Sequence, residues 1–186
     1  GNAASEQFQL DVYGEVLDSL YQARKHGLEP EKSGWGVAAA LAAFVEKAWR
    51  EPDEGIWEVR GPRRHFTHSK VMAWVAMDRA VRAVEEYGLK GPAERWRQCR
   101  DAIHREVCEK GYDQGLNSFV QYFGSKHLDA SLLMIPLVGF LPASDPRVRG
   151  TVEAVEKYLM RDGFVQRYDA GTETDGLPPG PSPPRP

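Results

Sequence analysis

The sequence is short of several things, and each shortage excludes a class of protein. Only two of its 186 residues are cysteines. Cys99 and Cys108 stand nine positions apart in one predicted helix, more than two turns, so they cannot reach each other. No disulfide is expected, and neither thiol has a His or Cys at zinc-ligand spacing. Free thiols fit a reducing compartment, so the location expected is cytoplasmic. Charge of one sign is also lacking: 24 basic and 27 acidic residues leave a net charge of −3. There is thus no basic excess to neutralise a phosphate backbone, and nucleic acid is not an expected partner. No apolar run reaches the roughly 18 residues that span a bilayer, so neither is a membrane. Alternating strand patterns are few. The two short ones, Ser118 to Phe123 and Gly163 to Tyr168, share Phe-Val-Gln followed by Tyr and are read as loops or short ribbons on one rim.

What is abundant is helical periodicity, repeated about six times. Phe8, Val12, Val16 and Leu20 step at four, with Tyr13, Leu17 and Tyr21 beside them, and predict a helix from about Ser5 to Lys25 that Gly27 ends. Ser33 can cap a second helix with the stripe Leu41, Phe44, Val45, Ala48 and Trp49. A third runs from about Thr67 to Tyr87 and stops at Gly88. A fourth opens at Pro92 and ends at Gly111, with the stripe Trp96, Cys99, Ile103, Val107. A fifth is the dense run Leu128 to Val138, broken by Pro136, and Asp145-Pro146 opens a sixth. Helices three and five read as buried all round, four and six as amphipathic. That alternation predicts stacked helical hairpins, either a solenoid or two concentric helix layers. No repeat of 30 to 45 residues supports an array of identical units.

The chemistry concentrates in the long connector between helices two and three. It holds the carboxylates Asp53, Glu54 and Glu58, the aromatic Trp57 and the cations Arg60, Arg63 and Arg64. A loop of this length in a compact chain tends to be functional. Its residue types suit carbohydrate: a sugar face stacks on Trp, carboxylate and guanidinium bind hydroxyls, and one carboxyl can protonate a glycosidic oxygen. By residue type alone other readings stay open. Glu58 could simply pair with Arg60 or Arg63, Trp57 could plug the core, and His65 and His68 lack a third partner for a metal. Lys70 could be solvated or could bind hydroxyls.

The string Gly55-Ile56-Trp57-Glu58-Val59-Arg60-Gly61, followed by Phe66-Thr67-His68-Ser69-Lys70 and the helix to Ala80, resembles the bacterial glucoamylase-like and trehalase-like enzymes of glycoside hydrolase family 15. Further matching segments are Gly1 to Ala4, Gln7 to Glu15, Leu128-Asp129-Ala130-Ser131-Leu132-Leu133, Pro136 to Pro142, and Asp162 to Tyr168. The resemblance implies an all-α fold, part of an (α/α)6 barrel of which about six helices are present, and inverting hydrolysis of α-linked glucosides with two glutamates and no cofactor. It maps the general acid onto Glu58. That group must hold its proton near neutral pH, for which burial against Trp57 and the like charge of Asp53 or Glu54 are the means, with Arg60 opposing. Trp57 and Arg60 are expected as sugar contacts because they share the motif. Gln9, Asp11, His68 and Lys70 are expected there because they lie in matching segments near helix starts. The substrate implied is a terminal α-linked glucose in an oligosaccharide, a starch-type glucan or trehalose.

The sequence departs from the family pattern at one place. The general base is expected just after Gly176-Leu177-Pro178-Pro179-Gly180, but Pro181-Ser182-Pro183-Pro184-Arg185-Pro186 follows, and nearby Glu173 does not match the motif. The domain reading is a partial barrel over residues 1–175 and a disordered Pro-rich tail over 176–186. The function expected is that of a catalytic-domain fragment carrying the acid without the base, inactive alone and able to self-associate through unpaired half-barrel faces. The alternative is an inactive helical module for carbohydrate binding or interaction.

Overall fold

The computed structural model describes residues 7–28, 32–59 and 61–168. Its helices are α1 (Asp11–Lys25), α2 (Lys32–Ala48), α3 (Thr67–Tyr87), α4 (Ala93–Lys110), α5 (Met134–Leu137) and α6 (Pro146–Leu159). Two small antiparallel ribbons complete it. β1 (Tyr112–Asp113) pairs with β2 (Ser118–Phe119), and β3 (Met160–Arg161) with β4 (Phe164–Val165). The second ribbon turns on Asp162-Gly163, both at positive φ, the geometry a two-residue hairpin requires.

α3 is the axis of the packing. From Thr67 to Val81 every residue is buried, and α1, α2 and α4 pack around it. Gly88, in the left-handed region, ends it as the sequence implied, its N–H donating to the Val84 carbonyl at 3.1 Å. α1 meets α3 backbone to backbone. A β-carbon at Gly14 would lie 2.2 Å from the Met72 carbonyl oxygen, so only glycine allows this approach. One buried ion cluster locks the same helices: Arg79 donates to Asp18 and Asp78, both at 2.6 Å, and to the Val138 carbonyl at 2.9 Å.

The amphipathic reading of α4 and α6 holds. α4 buries Trp96, Ile103 and Val107, while α6 buries Val148, Val155 and Leu159. α6 opens on the Asp145 carboxylate, which accepts from the Arg147 N–H at 2.9 Å, with Pro146 in the first turn. Cys99 and Cys108 are free and half-buried, and burial pushes the Cys99 thiol up to about 11.

Three element readings need correction. α1 begins at Asp11, since residues 7–10 are tied to the connector by hydrogen bonds, and its buried side runs through Gly14, Leu17 and Tyr21. The stripe stepping at four is partly on the outside, with Val12 46% exposed. α2 opens at Lys32, ahead of the cap assigned to Ser33. The dense run 128–138 is not one buried helix. It is a 3-10 turn (Ala130–Leu133) followed by the four-residue α5, with Leu132 and Ile135 buried but Leu137 75% exposed. Asp129 caps the 3-10 turn, Pro136 withholds an N–H, and Gly139 at φ 80° ends the segment. Residues 176–186, with the Pro-rich tail, lie outside the described residues.

Candidate active site

The connector is built from the inside out. Asp53 is fully buried and pairs antiparallel with Arg64 through two backbone hydrogen bonds of 3.0 and 2.9 Å. That clamp closes the loop and leaves residues 54–59 as a compact turn. Gly55 lies against the Phe66 ring, the Glu58 N–H donates to the Gly55 carbonyl at 3.2 Å, and the Val59 N–H donates to the Glu54 carbonyl at 3.2 Å. Closing the turn puts Glu58 at φ 53°, in the left-handed region that costs a non-glycine residue ~1 kcal/mol or more. Glu58 thereby projects from the turn and is exposed. The burial expected of it is not there. Glu54 does not crowd it either, because its carboxylate accepts from the Phe8 N–H at 2.8 Å and pairs with Arg63 at 2.9 Å.

The segment before α1 straps this turn in place. Gln7 donates to the Glu58 and Val59 carbonyls at 3.3 and 3.4 Å, Gln9 to the Gly55 carbonyl at 3.4 Å, and the Leu10 N–H to the Asp53 carboxylate at 3.1 Å. Gln9 thus reaches the motif, but its amide nitrogen holds the backbone of the turn.

Trp57 is half-buried, and three groups surround it that residue-type reasoning did not promote. The Tyr168 ring meets its edge at 6.2 Å and 65°. The Arg167 guanidinium lies 5.7 Å from the Trp57 ring and the same distance from Tyr168, within cation–π reach. Asp129 is buried nearby, and burial pushes its carboxyl up to about 6 against the pull of Ser131, Trp57 and Gln121, while the Trp57 indole N–H is itself buried without a hydrogen bond. Backbone pairing delivers these groups: Asp129 bridges to Tyr168, and the Ala130 N–H donates to the Arg167 carbonyl at 2.8 Å. On the other side the Thr67 N–H donates to the Gln121 carbonyl at 2.9 Å, and Phe66 bridges to Tyr122, tying the start of α3 to the rim. The two Phe-Val-Gln segments therefore do converge here. Their repetition was the available signal, but it marks backbone pairing and says nothing of which side chains meet.

The remaining predicted residues lie below this surface. Asp11, at the first turn of α1, is buried, and burial with the neighbouring charges of Asp53 and Glu15 pushes its carboxyl up to about 6. Burial also raises the Asp53 carboxyl, against the pull of Ser69, the Leu10 N–H and Lys70. Lys70 is 1% exposed and donates to the Trp49 and Glu51 carbonyls at 2.5 and 2.7 Å, closing the C-terminal end of α2. Desolvation brings its ammonium down to about 8. His68 is buried, with neither ring nitrogen hydrogen-bonded, and desolvation lowers it to about 4, so it is neutral at ordinary pH. His65 stacks on Phe123 at 5.9 Å. Arg60 lies outside the described residues. Among the described residues no group of three or more His, Cys, Asp and Glu side chains is arranged to hold a metal ion, and no helix is long and apolar enough to cross a membrane.

The structure thus places Trp57 and Glu58 together at a rim with Arg167 and Tyr168, and puts Asp11, His68 and Lys70 in the layer that supports it. Solved structures of a glycosidase share the fold. In its wild-type form and in a variant complexed with glucose, the TM-score is 0.75 at 24% identity, over 89% of this chain and 44% of that one. These neighbours and the hairpin packing make the fold an all-α one, part of a helical (α/α)6 barrel. A trehalase of Mycobacterium tuberculosis is 45% identical over 177 residues, 95% of this chain and 26% of that protein. A trehalase of Thermoplasma volcanium is 41% identical over 178 residues, again 95% of this chain and 28% of the relative. The chain therefore spans about a quarter of the length of these relatives. The pattern described as Glycosyl hydrolases family 15 matches residues 1–180, and the chain belongs to that family.

Proposed function

We propose that this segment supplies the acid side of an α-glucoside hydrolase, with trehalose as the substrate class indicated by its trehalase relatives. The observation that carries the reading is the turn at Glu58. The closed turn holds an exposed carboxylate at φ 53° beside a half-buried Trp, with Arg167 within cation–π reach of that ring. Strained residues of this kind gather at functional sites. A glucose unit stacked on Trp57 would cover Glu58 and exclude water from its carboxyl. That cover favours the protonated acid and aims it at the glycosidic oxygen, while Arg167 binds hydroxyls.

Inversion needs a second carboxylate, roughly 6.5 to 9.5 Å away, to activate water. Three carboxylates around the turn each have at least one oxygen engaged. Asp53 holds the Leu10 N–H, Glu54 pairs with Arg63, and Asp129 caps Ser131. None of these three is an exposed carboxylate, and the base is proposed to lie outside the described residues. The location proposed is cytoplasmic, in keeping with the unpaired thiols.

Binding and hydrolysis of trehalose and maltose by the purified chain test the reading. Glu58→Gln should retain sugar binding, and any turnover should fall by ~10²–10⁴-fold, the usual share of a general acid. Trp57→Ala should lose binding. No binding at millimolar sugar rejects the proposal. A second reading, a non-catalytic sugar-binding or interaction module, draws on the exposure of Glu58 and the engagement of the neighbouring carboxylates. Binding without hydrolysis, unchanged by Glu58→Gln even when the rest of a trehalase relative's length is supplied in trans, would favour it.

A further inference from the structure

Glu54 opens the turn that presents Glu58, and both its backbone groups and both its carboxylate oxygens are engaged there. Its N–H donates to the Phe8 carbonyl at 3.1 Å, and its carbonyl accepts from the Val59 N–H at 3.2 Å, which closes the turn. One carboxylate oxygen accepts from the Phe8 N–H at 2.8 Å and the other from the Arg63 guanidinium at 2.9 Å. Phe8 and Glu54 therefore clasp each other through backbone and side chain at once. Arg63 completes the clasp, its guanidinium 5.9 Å from the centre of the Phe8 ring. That ring meets Tyr13 of α1 at 6.5 Å and Phe44 of α2 at 6.2 Å, so the clasp fastens the turn to the helical body. Gln7, the neighbour of Phe8, donates to the Glu58 carbonyl itself at 3.3 Å.

We infer that Glu54 is a positioning residue for Glu58: its carboxylate clasps the strap before α1 and the returning side of the connector onto one turn, and so fixes the direction in which Glu58 projects. Its share in global stability is small, because the Arg63 side chain is 48% exposed and ion pairs open to water add little. Asp53 also holds Leu10 independently, so α1 keeps its place without Glu54. The local effect is larger. The bond to the Phe8 N–H is charge-assisted, the stronger kind, and loosening it frees Phe8 and with it the Gln7 amide that holds the Glu58 carbonyl. The clasp stands on hydrogen bonds alone, whereas its meaning for catalysis rests on the function proposed above.

Amide hydrogen exchange of the full chain, read residue by residue by NMR, tests the clasp directly. Glu54→Ala should speed exchange at the Glu58 and Val59 amides by about tenfold, while the α3 amides from Val71 to Val81 keep their rates. Glu54→Gln and Arg63→Gln each break the ion pair but leave the Phe8 N–H an oxygen to meet. Each should raise exchange in the turn by only about threefold, and the double variant no further. If Glu54→Ala does not fold, these two milder variants decide. Unchanged exchange in the turn of a folded variant overturns the inference. So does a rise shared equally by α3, which would mean that Glu54 acts on the whole fold, and so does a wild-type turn that already exchanges as fast as an unprotected chain.

Trehalose affinity supplies the second readout, because Trp57 lies in the same turn. Glu54→Ala should bind about tenfold more weakly, and Glu54→Gln should recover most of the loss. A loosened turn with unchanged affinity would show that the clasp does not reach the sugar, and overturns the catalytic part of the inference. If the wild-type chain binds no trehalose, the function proposed above fails, and the exchange rates still decide whether Glu54 holds the turn.

Discussion

The helical body and the rim around Glu58 treat buried polar groups differently. In the body, Arg79 goes inside with two carboxylates and a carbonyl in place to receive it. At the rim and the layer beneath it, Asp11, Asp53, Trp57, Thr67, His68, Ser69 and Gln121 all carry buried polar atoms without a regular partner. In the body this holds only for the Trp49 and Trp96 indoles among the described residues. A buried polar group costs on the order of 1–3 kcal/mol unless water or a ligand meets it, so their collection at one end of α3 sets that end apart. The same end holds the left-handed Glu58. The body is optimised for stability, and the rim keeps polar groups in waiting where a ligand or water can meet them.

The sharpest way to break the contrast is to strike the body where it has no slack. Gly14→Val should cost ~3 kcal/mol or more, because the added carbons meet the Met72 backbone, which cannot swing away as a side chain does. Urea midpoints measure it. A loss below 1 kcal/mol would mean that α1 and α3 can separate, and that the body is no more rigid than the rim.

That helix contact also marks what the sequence made legible. The ends of α3 and α6 were readable because Gly88 and Asp145-Pro146 act locally, through backbone conformation and capping. The true face of α1 was not, because Val12 and Val16 are as apolar as Leu17 and only the close approach at Gly14 decides which side turns inward. At the site, Trp57 and Glu58 came from one contiguous motif. Lys70 was placed in the right neighbourhood with the wrong task, since spacing cannot tell which carbonyls the end of α2 leaves open. Tyr168 stood in a recognised segment, but its ring contact with Trp57 joins parts of the chain far apart in sequence and exists only after folding.

The second prediction uses pH to compare the regions. Burial raises Asp11 from 3.8 to about 6, so between these values the folded state holds a proton that the unfolded state has released. Asp11 therefore reduces stability as pH rises from about 4 to 6, and the loss persists above that. His68, lowered from 6.5 to about 4, works in the opposite sense: the unfolded state binds the proton there, so its contribution to stability rises with pH across the same window. Asp11→Asn should accordingly stabilise the protein by ~2 kcal/mol at pH 7 and leave it nearly unchanged at pH 4, as read from urea midpoints at the two values. His68→Leu should gain stability mainly at the acid end. Equal effects at both pH values would mean that the layer under the rim is wetter than its burial indicates.

The smallest effect addresses the strain itself. Glu58→Gly removes the β-carbon that opposes φ 53° and lets the turn keep its hydrogen bonds to Gly55 and Gln7 through the backbone. Glycine also loosens the unfolded chain, which takes back part of the gain. The net expected is a stabilisation of about 0.5–1 kcal/mol, seen as a small rise in thermal midpoint, together with loss of whatever hydrolysis the wild type supports. Glu58→Ala distinguishes the causes: it removes the carboxylate while keeping the β-carbon, so it should abolish the same chemistry without the gain in stability. If Ala and Gly stabilise alike, the cost at this position comes from the carboxylate and its neighbours. If Gly alone stabilises, the backbone is the strained element, and the closed turn holds Glu58 against that strain.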